Sequence, residues 1–441
     1  MIDANQKSAS TRQPPLRQME TVMRKLLIAG LLGLAMASGA QAQDTTIRVH
    51  YAIPTIWSNA QTALAEAFMA KNPDIEIVLD GAAQGYEDGV QRLLRESVAG
   101  TAPDVAYVGL NLWRVLQARG LAQPLDEFIG DEAAFEAMGY TPALRSLGQF
   151  NDVQYALGTS ASTLVVYVNP DLVEQAGGSM EDFPTDFDGI IELAAKIDAL
   201  SPTIDGIWTQ RHDWRFQSFL GAHGGRPMTP DESDIAFDDE AGIAAAALFQ
   251  RFSQEGGMKS YDEDNARQAF PAGTLGIMLE SSSLLTRFLQ GADGRFEVVV
   301  KPLPIMADPE DVYFPTGGSG LVMLTDDPAK QDAAWRYMLF ATGPEGAKII
   351  VENTGFAPTN ALVVEDDTYL AEFYEANPMH RPAHEQIARF AGPWYAFPGP
   401  EGVAVTDLIA AAMVEVSDGG ADPETTIREL AETLRQRLDM K

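Results

Sequence analysis

The chain has 441 residues, of which 46% are hydrophobic, so it can bury a sizeable core and is long enough for two domains. Its 63 acidic residues outnumber the 31 basic ones, and the net charge of -32 excludes nucleic acid and anionic lipid surfaces as electrostatic partners. The chain contains no cysteine, so its core must hold without disulfides.

The N-terminal segment has the three parts of a secretory signal peptide. Two basic residues, Arg24 and Lys25, precede an uncharged run at 26–37, and the sequence AQA at 40–42 matches a cleavage site. The alternative is a membrane anchor, but the run is shorter than the roughly 20 residues that a membrane-spanning helix needs. We therefore predict a leader and signal peptide over residues 1–42. Because no cysteine follows to carry a lipid, we expect a freely diffusing periplasmic protein.

The first part of the remaining chain alternates between strand and helix patterns. Residues 47–51, 75–79 and 104–108 are rich in β-branched and aromatic residues, whereas 60–70 and 85–99 have helical periodicity. Strand, helix, strand, helix, strand predicts a parallel sheet with helices on its faces. The sequence therefore predicts the α/β class.

The later part of the chain contains the same kinds of element. Four runs are typical of strands, namely 163–168, 276–279, 296–300 and 320–324. Four others are typical of helices, namely 186–200, 241–252, 329–341 and 423–438. No repeat or long linker separates an N-terminal half from a C-terminal half. If there are two domains, we expect the chain to cross between them more than once.

Six segments, in this order, carry a resemblance to a known family. They are 68–75 (FMAKNPDI), 101–105 (TAPDV), 162–172 (STLVVYVNPDL), 270–278 (FPAGTLGIM), 317–320 (GGSG) and 354–359 (TGFAPT). Each is weak alone, but the set behind a signal peptide resembles bacterial extracellular solute-binding protein family 1, of the maltose- and glycerol-3-phosphate-binding type. The resemblance covers nearly all of the chain after residue 42.

The resemblance implies the periplasmic binding protein fold, with two α/β lobes joined by crossing hinge strands that close on a ligand. One lobe would comprise 44–161 and 304–343, and the other 162–303 and 344–441. The protein would deliver a sugar, oligosaccharide or polyol to the inner-membrane permease of an ABC importer. We expect a monomer without enzymatic activity, cofactor or metal.

Candidate ligand contacts in the first part of the chain follow predicted strands, where sites in open α/β sheets form. Three follow or end the first strand, two begin the helix after the second, and one follows the third: His50, Tyr51, Trp57, Tyr86, Glu87 and Asn111. Aromatic faces suit the C–H groups of a sugar, and polar groups suit its hydroxyls. The alternatives are core packing for Trp57 and a helix cap for Glu87.

Further candidates lie at the expected hinge crossings, in one helix and in late loops. Glycines such as Gly317 and Gly318 let a ligand approach the backbone. The resemblance implies that Trp214 corresponds to a family tryptophan that lies against the ligand. These candidates are Ser160, Ser162, Trp214, His223, Gly224, Ser281, Ser282, Gly317, Gly318, Phe356, Trp394 and Tyr395. The alternative for the serines is backbone hydrogen bonding, and for Gly317 and Gly318 a plain turn.

Departures from the glycerol-3-phosphate-binding pattern favour a neutral ligand. That group has a tyrosine at the position of Phe356, an acidic residue near Leu110 and an arginine in the segment 397–400. Without that arginine a bidentate phosphate partner is missing. A glycerophospho or other anionic solute remains the alternative, with a substitute partner among Arg211, Arg215, Arg381 and Arg389.

Two other classes of function compete with import. A secreted glycosidase needs two facing carboxyl groups, which an acidic chain offers by chance. The sequence has no G-x-S-x-G, H-E-x-x-H or P-loop motif, and Pro382 separates His380 from His384. A sensor coupled to a chemoreceptor would use the same binding fold.

Overall fold

The computed structural model describes residues 45–365 and 369–440. The predicted leader and signal peptide at 1–42 lie outside these residues. The described part forms strands and helices that alternate for most of its length. None of its helices has the length and hydropathy that crossing a bilayer requires.

The strands of the described residues are, in chain order, β1 (Thr45–Ala52), β2 (Ile75–Ala83), β3 (Val105–Gly109), β4 (Gln149–Phe150), β5 (Val153–Gln154), β6 (Ala156–Gly158), β7 (Leu164–Val168), β8 (Asp205–Thr209), β9 (Leu275–Ser281), β10 (Val299–Pro302), β11 (Phe314–Thr316), β12 (Ser319–Met323) and β13 (Ala391–Pro393). Nine of them form the two main sheets, and the other four form two small pairs. Their order along the chain does not match their order in the sheets, so the chain crosses between sheets.

The helices are, in chain order, α1 (Pro54–Lys71), α2 (Tyr86–Val98), α3 (Trp113–Ala118), α4 (Asp126–Ile129), α5 (Glu132–Ala137), α6 (Pro142–Arg145), α7 (Pro170–Gln175), α8 (Phe187–Asp198), α9 (Asp213–Ala222), α10 (Glu240–Gln254), α11 (Glu263–Ala272), α12 (Leu285–Ala292), α13 (Pro328–Thr342), α14 (Pro344–Asn353), α15 (Ala361–Glu365), α16 (Ala371–Ala376), α17 (Arg381–Phe390), α18 (Gly402–Ser417) and α19 (Pro423–Arg437). Several begin at an aspartate whose side chain accepts from a backbone N–H of the first turn, as at Asp186, Asp239 and Asp422. Such caps satisfy donors that the helix itself leaves free.

The first sheet has the order β2-β1-β3-β12-β6. β1 is parallel to β2 and β3, and β12 is antiparallel to β3 and β6. Every residue of β3 and β12 is buried, as expected for strands covered on both faces. Helices α1, α2 and α13 pack on this sheet. We call this sheet and its helices the first lobe.

The second sheet has the order β10-β7-β9-β8, with β8 parallel to β9 and the other pairs antiparallel. All residues of β7 and β9 are buried. Helix α8 packs on β8 and α11 on β9, while α10 contacts α9, α18 and α19. We call this sheet and its helices the second lobe.

Three segments cross between the lobes side by side, at 159–163, 316–318 and 354–358. Ala161 pairs with Ala357, and Ser162 pairs with Gly317, each through two backbone hydrogen bonds of 2.7–3.0 Å. The α/β class and two-lobe fold predicted from the sequence are confirmed. The lobe boundaries remain a prediction; α14 packs on α1 and α13 of the first lobe, whereas the predicted boundary assigns it to the second.

Candidate functional site

A cavity of about 120 Å³ lies beside the crossing segments, between the two lobes. Its walls combine residues that follow β1 and β2 with residues from α9, α11, the end of β9 and the late loop after β13. The lining residues are Ile53, Ile56, Gln84, Gly85, Tyr86, Glu87, Ser162, Gln210, His212, Trp214, Arg215, Glu263, Arg267, Glu280, Ser281, Ser283, Gly317, Gly318, Phe356 and Trp394. The position beyond strand ends is where ligand sites of open α/β sheets form.

Aromatic rings form one wall of the cavity. The Trp214 and Trp394 rings lie 6.0 Å apart, centroid to centroid. Trp214 Nε1 donates to the Pro315 carbonyl at 2.9 Å, and Trp394 Nε1 donates to Asp213 Oδ2 at 2.8 Å. Because these donors are bound within the protein, the rings are held in place and present apolar faces.

Two glycines let the crossing segment approach this wall. A Cβ at Gly317 would lie 2.7 Å from both the Trp214 ring and Ser162 Oγ. Gly318 has a φ of 121°, and a Cβ there would lie 2.1 Å from the Ser160 carbonyl oxygen. Only glycine fits these positions, so the backbone itself forms part of the cavity wall.

A network of charged residues, centred on the buried Glu280, forms another part of the lining. Glu280, which is fully buried on β9, binds Arg215 and Arg267, the latter at 3.3 Å. Arg267 also binds Glu263 at 2.5 Å, and the Arg215 guanidinium lies 4.7 Å from the Trp214 ring centre. Two arginines are thus balanced by two glutamates.

The pKa values of the network follow from these pairs. Burial raises the pKa of Glu280, but the charges of Arg215 and Arg267 outweigh burial and hold the pKa below its ordinary value. Burial raises the pKa of Glu263, with the charge of Glu280 adding to the effect. Arg215 Nε is buried and has no hydrogen-bond partner in the described part of the chain.

One ion pair spans the cavity from lobe to lobe. Glu87, in the first turn of α2, lies with Oε1 3.6 Å from Nε2 of His212, the residue that caps α9. When the ring is neutral, His212 Nδ1 accepts from the Trp214 amide at 3.1 Å and Nε2 carries the proton that faces Glu87; protonation of Nδ1 then makes the ring a cation and the contact with Glu87 an ion pair. Burial opposes charge on both groups, but their mutual attraction outweighs it, so the pKa of His212 is raised and that of Glu87 is lowered.

We expect the charged Glu87–His212 pair to disappear as the pH rises through the pKa of His212 in the folded protein. A histidine whose pKa is raised by folding adds stability that is present below its unfolded pKa of about 6.5 and is lost above its folded value. Histidine NMR titration measures this value, with His212→Gln to assign the signal. A midpoint for His212 below the ordinary histidine pKa would contradict the pair.

Nine of the residues predicted from the sequence line the cavity. They are Tyr86, Glu87, Ser162, Trp214, Ser281, Gly317, Gly318, Phe356 and Trp394. Whether they touch a ligand remains a prediction. The structure brings them together from seven separate stretches of the chain.

Three predicted residues lie directly behind those that line the cavity. Trp57 is fully buried, and its Nε1 donates to the hydroxyl of Tyr86 at 3.3 Å. Ser160 Oγ accepts from the Ser319 amide at 3.3 Å behind Gly318, and Asn111 is buried beside Gly109. These residues can position the lining without forming it.

The other predicted residues point elsewhere, as their local geometry requires. His50 and Tyr51 lie within β1, which ends only at Ala52, so they face α2 and β2 rather than the cavity. Ser282 Oγ accepts a hydrogen bond from the Thr163 amide at 3.3 Å and does not line the cavity. Three more lie outside the lining: His223 and Gly224 follow the far end of α9, and Tyr395 packs on Phe397.

The lining also includes residues that the prediction left out. His212 lies two residues before the predicted Trp214, Ser283 directly follows the predicted Ser282, and the sequence predicts Arg215 only as a substitute phosphate partner. Glu263, Arg267 and Glu280 gave no signal in a chain with so many charges. The other substitutes are engaged elsewhere: Arg211 binds Asp418 at 2.7 Å, Arg381 lines a separate pocket, and Arg389 stacks on Phe390.

Curated relatives cover most of the chain. A putative binding protein of Brucella abortus is 26% identical over 92% of this chain and 96% of its own length. The sn-glycerol-3-phosphate-binding periplasmic protein UgpB of Escherichia coli is 24% identical over 79% of this chain and 81% of its own. The maltotriose-binding protein of Pyrococcus abyssi is 24% identical over 70% of this chain and 67% of its own.

Solved structures share the fold at low identity. UgpB of Mycobacterium tuberculosis in complex with glycerophosphocholine has a TM-score of 0.79 and 22% identity, over 89% of this chain and 98% of its own. The GacH receptor of Streptomyces glaucescens, solved unliganded and with acarbose, has a TM-score of 0.76 and 20% identity, over 90% of this chain and 99% of its own. The model of the bacterial extracellular solute-binding protein family matches residues 63–380, and this chain belongs to that family.

Proposed function

We propose that this protein is the periplasmic solute-binding component of an ABC importer, and that it binds a sugar, oligosaccharide or polyol between its lobes. The observation that carries the proposal is the cavity itself: fixed aromatic faces stand opposite polar groups, at the crossing segments of a two-lobe fold. Such a surface suits a ligand with C–H faces and many hydroxyls. The protein would then deliver the solute to an inner-membrane permease.

The charge balance of the cavity favours a neutral solute. The guanidinium groups of Arg215 and Arg267 are taken up by Glu280 and Glu263, and His212 faces Glu87. A phosphate group would therefore find no uncompensated cation among these residues, and it would approach three carboxylates. A neutral hydroxyl carries no charge for these carboxylates to repel.

The second candidate is a glycerophospho or other anionic solute. It is favoured by the relatives and the solved structure named for glycerol-3-phosphate and glycerophosphocholine. The two candidates differ in whether a negative charge on the solute helps or hinders binding.

A thermal-shift screen separates these candidates. A solute that binds only the folded protein raises Tm by mass action. Neutral sugars and polyols are expected to raise Tm, with glycerol-3-phosphate and glycerophosphocholine giving smaller shifts at equal concentration. A larger shift with either phosphate compound would replace the first candidate by the second.

The remaining parts of the proposal concern export and architecture. We infer a cleavable signal peptide at 1–42, a periplasmic monomer without a lipid anchor, and no turnover of the bound solute. The lobes would be 44–161 with 304–353 and 162–303 with 354–441, because α14 packs with the first lobe. Incubation with the sugar that gives the largest thermal shift, followed by chromatography, should return that sugar unchanged.

A further inference from the structure

Arg114 makes a set of contacts that neither sequence nor family relationship points to. It lies on α3, directly after β3 of the first lobe, and its side chain is 9% exposed. Its Nη1 and Nη2 donate to the two carboxylate oxygens of Glu232 at 2.8 and 3.0 Å. Nη1 also donates to the carbonyl of Ala396 at 2.9 Å.

These partners belong to the other side of the cleft. Glu232 follows α9, and the loop containing Ala396 is tied to α9 through two bonds: Trp394 Nε1 to Asp213 and the Tyr395 amide to Gln217 Oε1 at 3.0 Å. The contacts of Arg114 therefore join the first lobe to the loop that carries the Trp394 wall of the cavity.

Each partner of the ion pair is also held by neighbours on its own side of the cleft. The Arg114 guanidinium stacks on Phe150 with its centre 4.5 Å from the ring centre. Glu232 has a φ of 56°, which is uncommon for a residue other than glycine, in a turn closed by a 3.0 Å bond from the Thr229 amide to the Asp234 carbonyl. A bidentate pair between an arginine and a carboxylate is directional as well as strong.

We propose that Arg114 is a positioning residue that latches the two lobes in the closed form and seats the Trp394 wall against the solute. The inference rests on the proposed function, because closure serves to hold a solute. The apparent affinity of a binding protein scales with the fraction of molecules in the competent, closed form. Loss of the latch should therefore weaken binding of every solute by one common factor without changing the order of preference.

The closed form can be measured without any solute. The chain has no cysteine, so Gln91→Cys on α2 and Gln290→Cys on α12, both exposed, provide two unique sites for spin labels. Pulsed EPR on the otherwise intact protein should show a short-distance population that falls at least fivefold in Arg114→Ala and in Glu232→Ala. The Arg114→Ala/Glu232→Ala double variant should show the same short-distance population as either single variant, because both substitutions remove one and the same contact.

Arg336→Ala is the matched control, since it removes a bidentate arginine–carboxylate pair with Asp74 that lies within the first lobe. It should keep the wild-type distance distribution. Arg114→Lys keeps the positive charge but not the two-pronged guanidinium. Its short-distance population should lie between those of wild type and Arg114→Ala. If wild type and Arg114→Ala gave the same distribution, the latch would be refuted, while binding of sugars in the thermal-shift screen would still stand on its own.

Discussion

Replacement of Glu280 by alanine is expected to lower the free energy of unfolding by about 3–5 kcal/mol, because it removes one partner of a buried ion pair. Glu280 is fully buried and binds both Arg215 and Arg267. Without it, two guanidinium groups remain in a site screened from water and share only Glu263. Urea unfolding of wild type and variant measures the difference.

The exposed pair Glu424–Arg428 provides the control for this change. Both side chains are more than half exposed, and the pair lies within one helix turn of α19. Glu424→Ala should therefore change the free energy of unfolding by less than about 1 kcal/mol. Equal losses for Glu280→Ala and Glu424→Ala would show that the buried network does not stabilise the second lobe.

Trp214→Ala is expected to weaken sugar binding at least tenfold, which corresponds to about 1.4 kcal/mol. Its indole forms the aromatic wall of the cavity together with Trp394 and lies against Gly317, so its removal takes away one flat apolar face. Calorimetric titration with the sugar that gives the largest thermal shift measures the change. The intrinsic preference among sugars should shift as well, since a contact with the solute is lost.

Trp335→Ala is the matched control for Trp214→Ala. Trp335 is half-buried and packs on Phe128 and Phe135 in the first lobe, and none of these three residues lines the cavity. Its loss should leave the sugar dissociation constant unchanged. A wild-type constant for Trp214→Ala would remove this tryptophan from the ligand site.

Most of the architecture could be predicted from the sequence, because local patterns of apolar and polar residues determine where strands and helices form. The alternation of strands and helices between residues 45 and 109 is present as predicted, and β3 reads as an unbroken apolar run because both of its faces are covered. The strand predicted at 296–300 begins only at Val299. The register with β7 also begins at Val299, while Phe296 and Val298 are buried on either side of the exposed Glu297; periodicity does not distinguish such packing from strand pairing.

The cavity was less accessible to sequence reasoning, for two physical reasons. Residues next to each other turn to opposite sides, so Ser281 and Ser283 line the cavity while Ser282 does not. The charged network joins Arg215 to Glu280 across 65 positions. In a chain with 63 acidic residues, nothing local marks one glutamate as buried.

The central claim is that two lobes close around a solute, and small-angle X-ray scattering tests it most directly. The radius of gyration should shrink when the sugar with the largest thermal shift is added, because open molecules are drawn into the closed form. A radius that stays the same at saturating sugar would contradict closure.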